Sequence, residues 1–176
     1  FALLVSYLGQ MNPQITPLLP VLVSPWLSIH VSLIMMSYAL LAFIMLNGIL
    51  ALCLRKKEPE NNVSENDDRQ DNRIEQLTLV SRLLLYPATF FLGAGIFLGA
   101  VWANVSWGRY WAWDPKEVWA LITFLVYGAA FHSQSLRIFR KPLFFHIYMI
   151  LAFLTVLMTY FGVNYVLGGM HSYANS

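Results

Sequence analysis

Four uncharged stretches organise the chain. Residues 1–54, 83–108, 118–136 and 142–176 contain no Asp, Glu, Lys or Arg, so every charge falls in the segments between them. A helix needs about 20 predominantly apolar residues to cross a hydrocarbon core, and this pattern predicts spans at about 31–54, 83–103, 118–136 and 143–163. Residues 31–54 lack the apolar–polar alternation of a barrel strand, and backbone amides in lipid must be bonded within their own segment. The predicted fold class is therefore all-α, a polytopic membrane helix bundle with an outer tryptophan-rich loop between the second and third spans. Helix starts are marked by Ser24 and Pro25, and by Asp114, Pro115 and Glu117, as N-cap, first helical residue and, in the second case, the N3 acid of a capping box.

Composition removes any soluble reading. Of the 176 residues 58% are hydrophobic and 11% charged, with a mean hydropathy of +0.57, far from a water-soluble domain. Lys and Arg near span ends set orientation. Segment 55–82 carries Arg55, Lys56, Lys57, Arg69, Arg73 and Arg82, segment 137–141 carries Arg137, Arg140 and Lys141, and the intervening loop carries only Arg109 and Lys116. The two basic segments are expected to face the cytoplasm, leaving both termini and the tryptophan loop outside. Residues 1–176 read as one membrane domain. Segment 55–82 reads as a flexible cytoplasmic loop, without periodicity until Arg73, and Ile74, Leu77 and Val80 suggest a short surface helix leading into the second span. "FALLVSYLG" at the start looks like the end of a further apolar span, as in a piece of a longer protein.

The only cysteine is Cys53, which excludes a disulfide within the chain, a CxxC redox pair and a CxxCH haem attachment site of its own. No dinucleotide, P-loop or zinc signature is present, and no nucleic acid is expected as a partner.

The chemistry concentrates in "WGRYWAWDPKEVW", Trp107–Trp119. An interfacial aromatic belt is one explanation, since Trp and Tyr favour headgroup depth. All six tryptophans, however, fall toward the outer side, five of them between residues 102 and 119. Trp107 and Trp111 would share a face if the segment were helical. A broad aromatic surface of this kind suits a large planar ligand. Arg109 and Lys116 could meet its anionic groups or reach toward lipid phosphates.

Four histidines complete the inventory. His30 sits near the outer end of the first span, one turn from Trp26, and His171 follows Gly168 and Gly169 beyond the fourth span, where a turn could return the imidazole over the bundle. With the aromatic platform the two look like axial ligands for a haem iron, with Met170 as an alternative. His132 lies inside the third span, where ionisable residues are uncommon and often functional. His146, at similar depth on the fourth span, reads as an interface residue or as its partner. Gly95 and Gly99 form a small-xxx-small pair, and Pro87 is expected to bend the second span.

The tryptophan-rich stretch resembles the WWD motif of the haem-handling membrane proteins of cytochrome c biogenesis. "DPKEVW" continuing into a span with His132, then "TYFGVNYVLGGMHSYA", is most similar to the CcsA family of System II cytochrome c synthases, over roughly Leu18 to Ala174. The resemblance implies that haem b, as substrate, passes from the cytoplasm through the membrane to the WWD domain and is joined there to the CxxCH motif of apocytochrome c. It implies His30 and His171 as outer iron ligands and Trp107, Trp111, Trp113 and Asp114 as the core of the haem-holding motif. His132 would be the iron ligand of an inner site, completed by a companion subunit or fused half. Residence in a bacterial inner membrane or thylakoid membrane, and a part in a haem lyase complex, follow from the same likeness. A carrier that delivers haem without ligation, and a bis-histidine electron-transfer cytochrome, are the competing readings.

Overall fold

The computed structural model describes residues 25–56, 66–132 and 135–167. Among them the chain is helical without strands. α1 (Pro25–Lys56) and α2 (Asn66–Trp107) precede α3 (Pro115–Ala129), which runs into a 3₁₀ turn at Ala130–His132. A second 3₁₀ turn (Arg137–Arg140) leads to α4 (Pro142–Leu157), continued by a wider π-type segment at Met158–Leu167. α1, α3 and α4 each begin on a proline, the residue whose missing N–H is not needed in a first helical turn.

Three helices among the described residues, Pro25–Arg55, Arg69–Trp107 and Pro142–Tyr165, are long and apolar enough to cross a membrane. Where four spans were expected, α3 is the short one. Its 15 residues plus the 3₁₀ turn reach roughly 28 Å at the usual rises, close to the thickness of a hydrocarbon core. The protein is an integral membrane protein, and large apolar side chains such as Phe43, Phe90, Phe97 and Leu151 face outward as lipid contact requires.

Of segment 55–82, residues 57–65 lie outside the described residues, and from Asn66 onward the structure differs from the expected loop. α2 begins at Asn66 and continues through Trp107, 42 residues in all, so the charged stretch from Asn66 and the supposed short surface helix are one piece with the second span. Helix already nucleated in the apolar part extends at little further cost. Pro87 sits within this uninterrupted helix. The carbonyl left without its helical donor is that of Leu83, four residues before the proline; farther along, Thr89 Oγ1 donates to the Leu85 carbonyl at 2.6 Å, and Ser37 Oγ of α1 donates to the Ala88 carbonyl at 2.8 Å, tying α1 to α2. Residues 1–24, with "FALLVSYLG", lie outside the described residues.

Contacts place the helices antiparallel in order. His30, Ser37 and Asn47 of α1 meet Gly95, Ala88 and Ser81 of α2. A Cβ on Gly48 would come within 3.2 Å of Ile150 on α4, and one on Gly93 within 3.0 Å of Phe124 on α3, so glycines let the backbones close without a hydrophobic driving force between helices. Tyr148 of α4 donates to the Val126 carbonyl of α3 at 2.7 Å. The core they enclose contains Leu41, Ile44, Leu85, Tyr127, Phe145 and Met149. One end of the bundle gathers His30, Gly99, the loop after α2, the start of α3 and Thr159; the other gathers Arg55, Asp71 and Pro142.

Candidate functional site

At the first of these ends α1, α2, the loop, α3 and the π-type segment enclose one cavity of about 170 Å³. α1 supplies Leu27, His30 and Tyr38, α2 supplies Gly99 and Trp102, the loop Tyr110 and Trp111, α3 Lys116 and Glu117, and the π-type segment Tyr160. Its walls are aromatic and aliphatic, with one imidazole, one ammonium and one carboxylate.

The seat of His30 is built by the glycine pair. His30 Nδ1 lies 2.7 Å from the Gly95 carbonyl oxygen. A carbonyl can only accept, so Nδ1 carries the proton and, in the neutral ring, Nε2 keeps the lone pair, the tautomer a metal-ligating histidine uses. Added methyl groups would stand 2.7 Å from His30 Cε1 at Gly99 and 2.6 Å from Ile34 Cδ1 at Gly95. The small-xxx-small pair thus does more than bring two helices together: it leaves room for the imidazole and orients it.

The loop is held by a carboxylate. α2 ends at Gly108, whose φ of +74° suits the left-handed residue after a helix and whose N–H donates to the Asn104 carbonyl at 2.8 Å. α3 starts as anticipated, with Asp114 as a buried N-cap in a complete capping box with Glu117. Between them Trp113 has φ +58°, uncommon for a bulky side chain, and it is 74% exposed. Glu117 Oε2 accepts from the amides on both sides of it, Ala112 at 2.8 Å and Asp114 at 3.2 Å. Lys116 donates from Nζ to Asn164 Oδ1 at 3.1 Å, joining the loop to the π-type segment. Burial pushes its ammonium below the usual lysine pKa, opposed by the Asp114 carboxylate.

The condition on which Trp107 and Trp111 would share a face is not met. The helix stops at Trp107, so Trp107 and Trp111 do not share a helical face. Trp107 instead meets Trp102 edge-on at 4.9 Å, and Trp111 meets Trp113 edge-on at 6.0 Å.

At the opposite end His132 and His146 part company. His132 is exposed on the 3₁₀ turn after α3. His146 is fully buried in the first turns of α4, with Nε2 2.9 Å from Thr78 Oγ1. No group of three or more His, Cys, Asp or Glu able to hold a metal occurs among the described residues.

Residues 1–171 match the model of the family described as Cytochrome C assembly protein. The chain belongs to that family. Among its relatives, Protein NrfI of Wolinella succinogenes is 41% identical over 96% of this chain and 18% of its own length. Cytochrome c biogenesis protein CcsA of Chlamydomonas reinhardtii is 40% identical over 91% of this chain and 44% of its own. CcsA of Synechococcus is 36% identical over 89% and 58%. The chain therefore spans between about a fifth and three fifths of the curated relatives it matches, and its family membership supports a role in cytochrome c maturation.

Within this cytochrome c assembly protein the expected residues fall into three groups. His30 and Trp111 line the cavity together. Trp107 ends α2, Trp113 lies in the loop and Asp114 caps α3, none of them in the cavity's lining, while His132 is at the other end of the bundle. His171 and Met170 lie outside the described residues. Sequence reasoning left Trp102 and Tyr110 off the candidate list and read Glu117 only as a capping residue. The signal for Glu117 was its place three residues after Asp114, but nothing local announces that its second acceptance, from Ala112, fixes Trp113.

Proposed function

We propose that the cavity on the outer side holds haem as a substrate and presents it for covalent attachment to the CxxCH motif of apocytochrome c. The observation that carries this reading is the orientation of His30: its Nδ1–H is committed to Gly95, so Nε2 is the nitrogen for iron, on a ring that lines the same cavity as Trp102, Tyr110 and Trp111. Imidazole, flat apolar walls and an ammonium for a propionate make a donor set that fits haem. The macrocycle is larger than the enclosed space, so only part of it would be inside, with Trp107 and Trp113 at the rim and His171 as the second outer ligand. The basic segments at Arg55 and Arg137–Lys141 would face the cytoplasm, and His132 would serve an inner haem site with a companion subunit or fused half.

Attachment adds each cysteine S–H across a haem vinyl C=C, the sulfur bonding to one carbon and the hydrogen to the other. This addition needs the vinyl and thiol held in register more than it needs a protein nucleophile. The chain's own thiol has no part in it. Cys53 is 23 residues from His30 on α1, roughly 35 Å along the helix axis. His30, the indoles and the Glu117-held loop position the ring and exclude water from its face.

Co-expression of the full-length protein with an apocytochrome tests the proposal. Covalent haem should appear in the product when CxxCH is present, be absent when both cysteines are replaced, and fall to background with His30→Ala or His171→Ala. Haem that stays on the membrane protein and never reaches the apocytochrome would support the carrier reading instead.

Lys116 adds a pH signature. Its depressed pKa means the ligand-free protein sheds this charge at a lower pH than an ordinary lysine would, whereas a propionate beside it favours the charged form. Binding is then accompanied by proton uptake above the depressed pKa, and haem retention should weaken as pH rises from that value toward the higher one of the complex. Lys116→Arg should flatten this decline, as measured by haem-to-protein ratio across a pH series. An unaltered profile would remove Lys116 from the site.

A further inference from the structure

A second cavity, of about 580 Å³, opens at the opposite end of the bundle. Its lining combines Ala51, Leu52 and Arg55 of α1, Asp71 and Ile74 of α2, and Lys141, Pro142, Leu143 and His146 at the start of α4. Nothing in the haem chemistry uses it, and three independent features describe what it would accept.

The first is charge. Arg55 and Lys141 against Asp71 leave one net positive charge on the lining. The second is the helix terminus. The N-cap of α4 is Lys141, and no side chain caps it; the first bond of the helix is Phe145 N–H to the Lys141 carbonyl at 3.1 Å. The amides of Leu143 and Phe144, in this first turn, precede that bond, at the end where the dipole favours an anion. The third is His146. Thr78 Oγ1 gives its single hydrogen to the Ile74 carbonyl at 2.7 Å, so the contact at 2.9 Å is His146 Nε2–H donating to Thr78. The neutral ring then offers a lone pair at Nδ1, and this atom is buried without a hydrogen-bond partner. A buried acceptor left without a donor costs free energy that a ligand hydroxyl would recover.

We propose that this cavity binds the headgroup of an anionic phospholipid that carries hydroxyl groups, with phosphatidylglycerol as the type. Its phosphate would meet Arg55, Lys141 and the amides of α4, a glycerol hydroxyl would donate to His146 Nδ1 and another to Asp71, and the acyl chains would leave over Leu52, Ile74 and Leu143. The volume favours a headgroup with its glycerol over a bare phosphate. Helix ends that carry the chain's basic residues lie at headgroup depth, which places the cavity within reach of such a lipid.

Native mass spectrometry of the full-length protein, purified and exchanged against defined lipids, tests this. Phosphatidylglycerol should be retained over phosphatidylcholine by about tenfold or more, and a combined Arg55→Gln, Lys141→Gln variant should lose most of that preference, since both cations that would meet the phosphate are then gone. Phosphatidylmethanol, which keeps the phosphate charge and lacks the hydroxyls, should bind less well than phosphatidylglycerol to the wild type. It should bind equally well to His146→Phe, and Asp71→Asn, which retains an acceptor, should still prefer phosphatidylglycerol. Equal retention of phosphatidylglycerol and phosphatidylcholine overturns the proposal, as does displacement of phosphatidylglycerol by inorganic phosphate at millimolar concentration, which would assign the cavity to a soluble anion. If His146→Phe does not fold, the lipid series on the wild type and on the charge variant decides alone.

Discussion

Valine at Gly99 should strip the protein of co-purifying haem as thoroughly as alanine at His30, by tenfold or more, while the helix bundle remains assembled. A Cβ at this position would stand 2.7 Å from His30 Cε1 and 2.9 Å from Nδ1, closer than side-chain atoms tolerate. The imidazole must move, and the bond to the Gly95 carbonyl that selects its tautomer breaks with it. Losing the partner that orients a metal-ligating histidine typically lowers affinity 10–100-fold, whereas overpacking one helix contact costs about 1–3 kcal/mol of stability. Gly93→Ala is the matched control. A Cβ there meets the Phe124 ring at 3.0 Å, on the same helix but away from His30, so it should strain the α2–α3 contact and leave the haem content intact. Haem-to-protein ratio by pyridine haemochrome, alongside a thermal melt in detergent, separates the two effects. If Gly99→Val and Gly93→Ala lose haem equally, general loosening of the bundle rather than the seat of His30 is responsible.

The contrast between these glycines shows what a sequence can and cannot disclose here. The gaps between charges establish the helices, because lipid demands apolar runs of a fixed length, and proline with a capping acid sets the start of α3 because those groups act within four residues of one another. Gly95 and Gly99 were visible as a close-packing pair for the same local reason. That the packed object is the His30 ring depends on the register between α1 and α2, which no local pattern encodes. Register also decides the fates of the other two described histidines: at similar depth by residue count, His132 comes to rest exposed while His146 turns into the bundle against Thr78. The charged segment before Arg82 was misjudged because its composition favours disorder in isolation, and only its continuity with an apolar helix makes it the first turns of α2. The tryptophans failed in a third way. A shared face for Trp107 and Trp111 depended on the segment being helical, a condition that Gly108 removes by ending the helix, and the observed edge-on pairs result from the loop's path.

That path supplies the last prediction. Trp113 is both backbone-strained and exposed, so neither its φ of +58° nor its indole, solvent-facing apart from the edge contact with Trp111, contributes much to folding. A residue outside the favoured regions costs roughly 1–3 kcal/mol, and the structure sustains it through Glu117, which takes one amide on either side. Trp113→Gly should therefore raise the stability of the protein by about 1 kcal/mol, yet reduce covalent haem attachment sharply if the indole serves the bound substrates. Glu117→Ala should do the opposite to the fold, destabilising by about 2–4 kcal/mol through loss of two charge-assisted hydrogen bonds, one of them the Glu117 half of the capping box. The double variant decides between linked and independent roles: with the strain relieved by glycine, removing Glu117 should cost less than it does in the wild type, a coupling readable from thermal melts of the four proteins. Additive effects would mean that Glu117 caps α3 and nothing more. A Trp113→Gly protein that is more stable and fully active would mean that the loop holds its strained indole for some purpose other than haem.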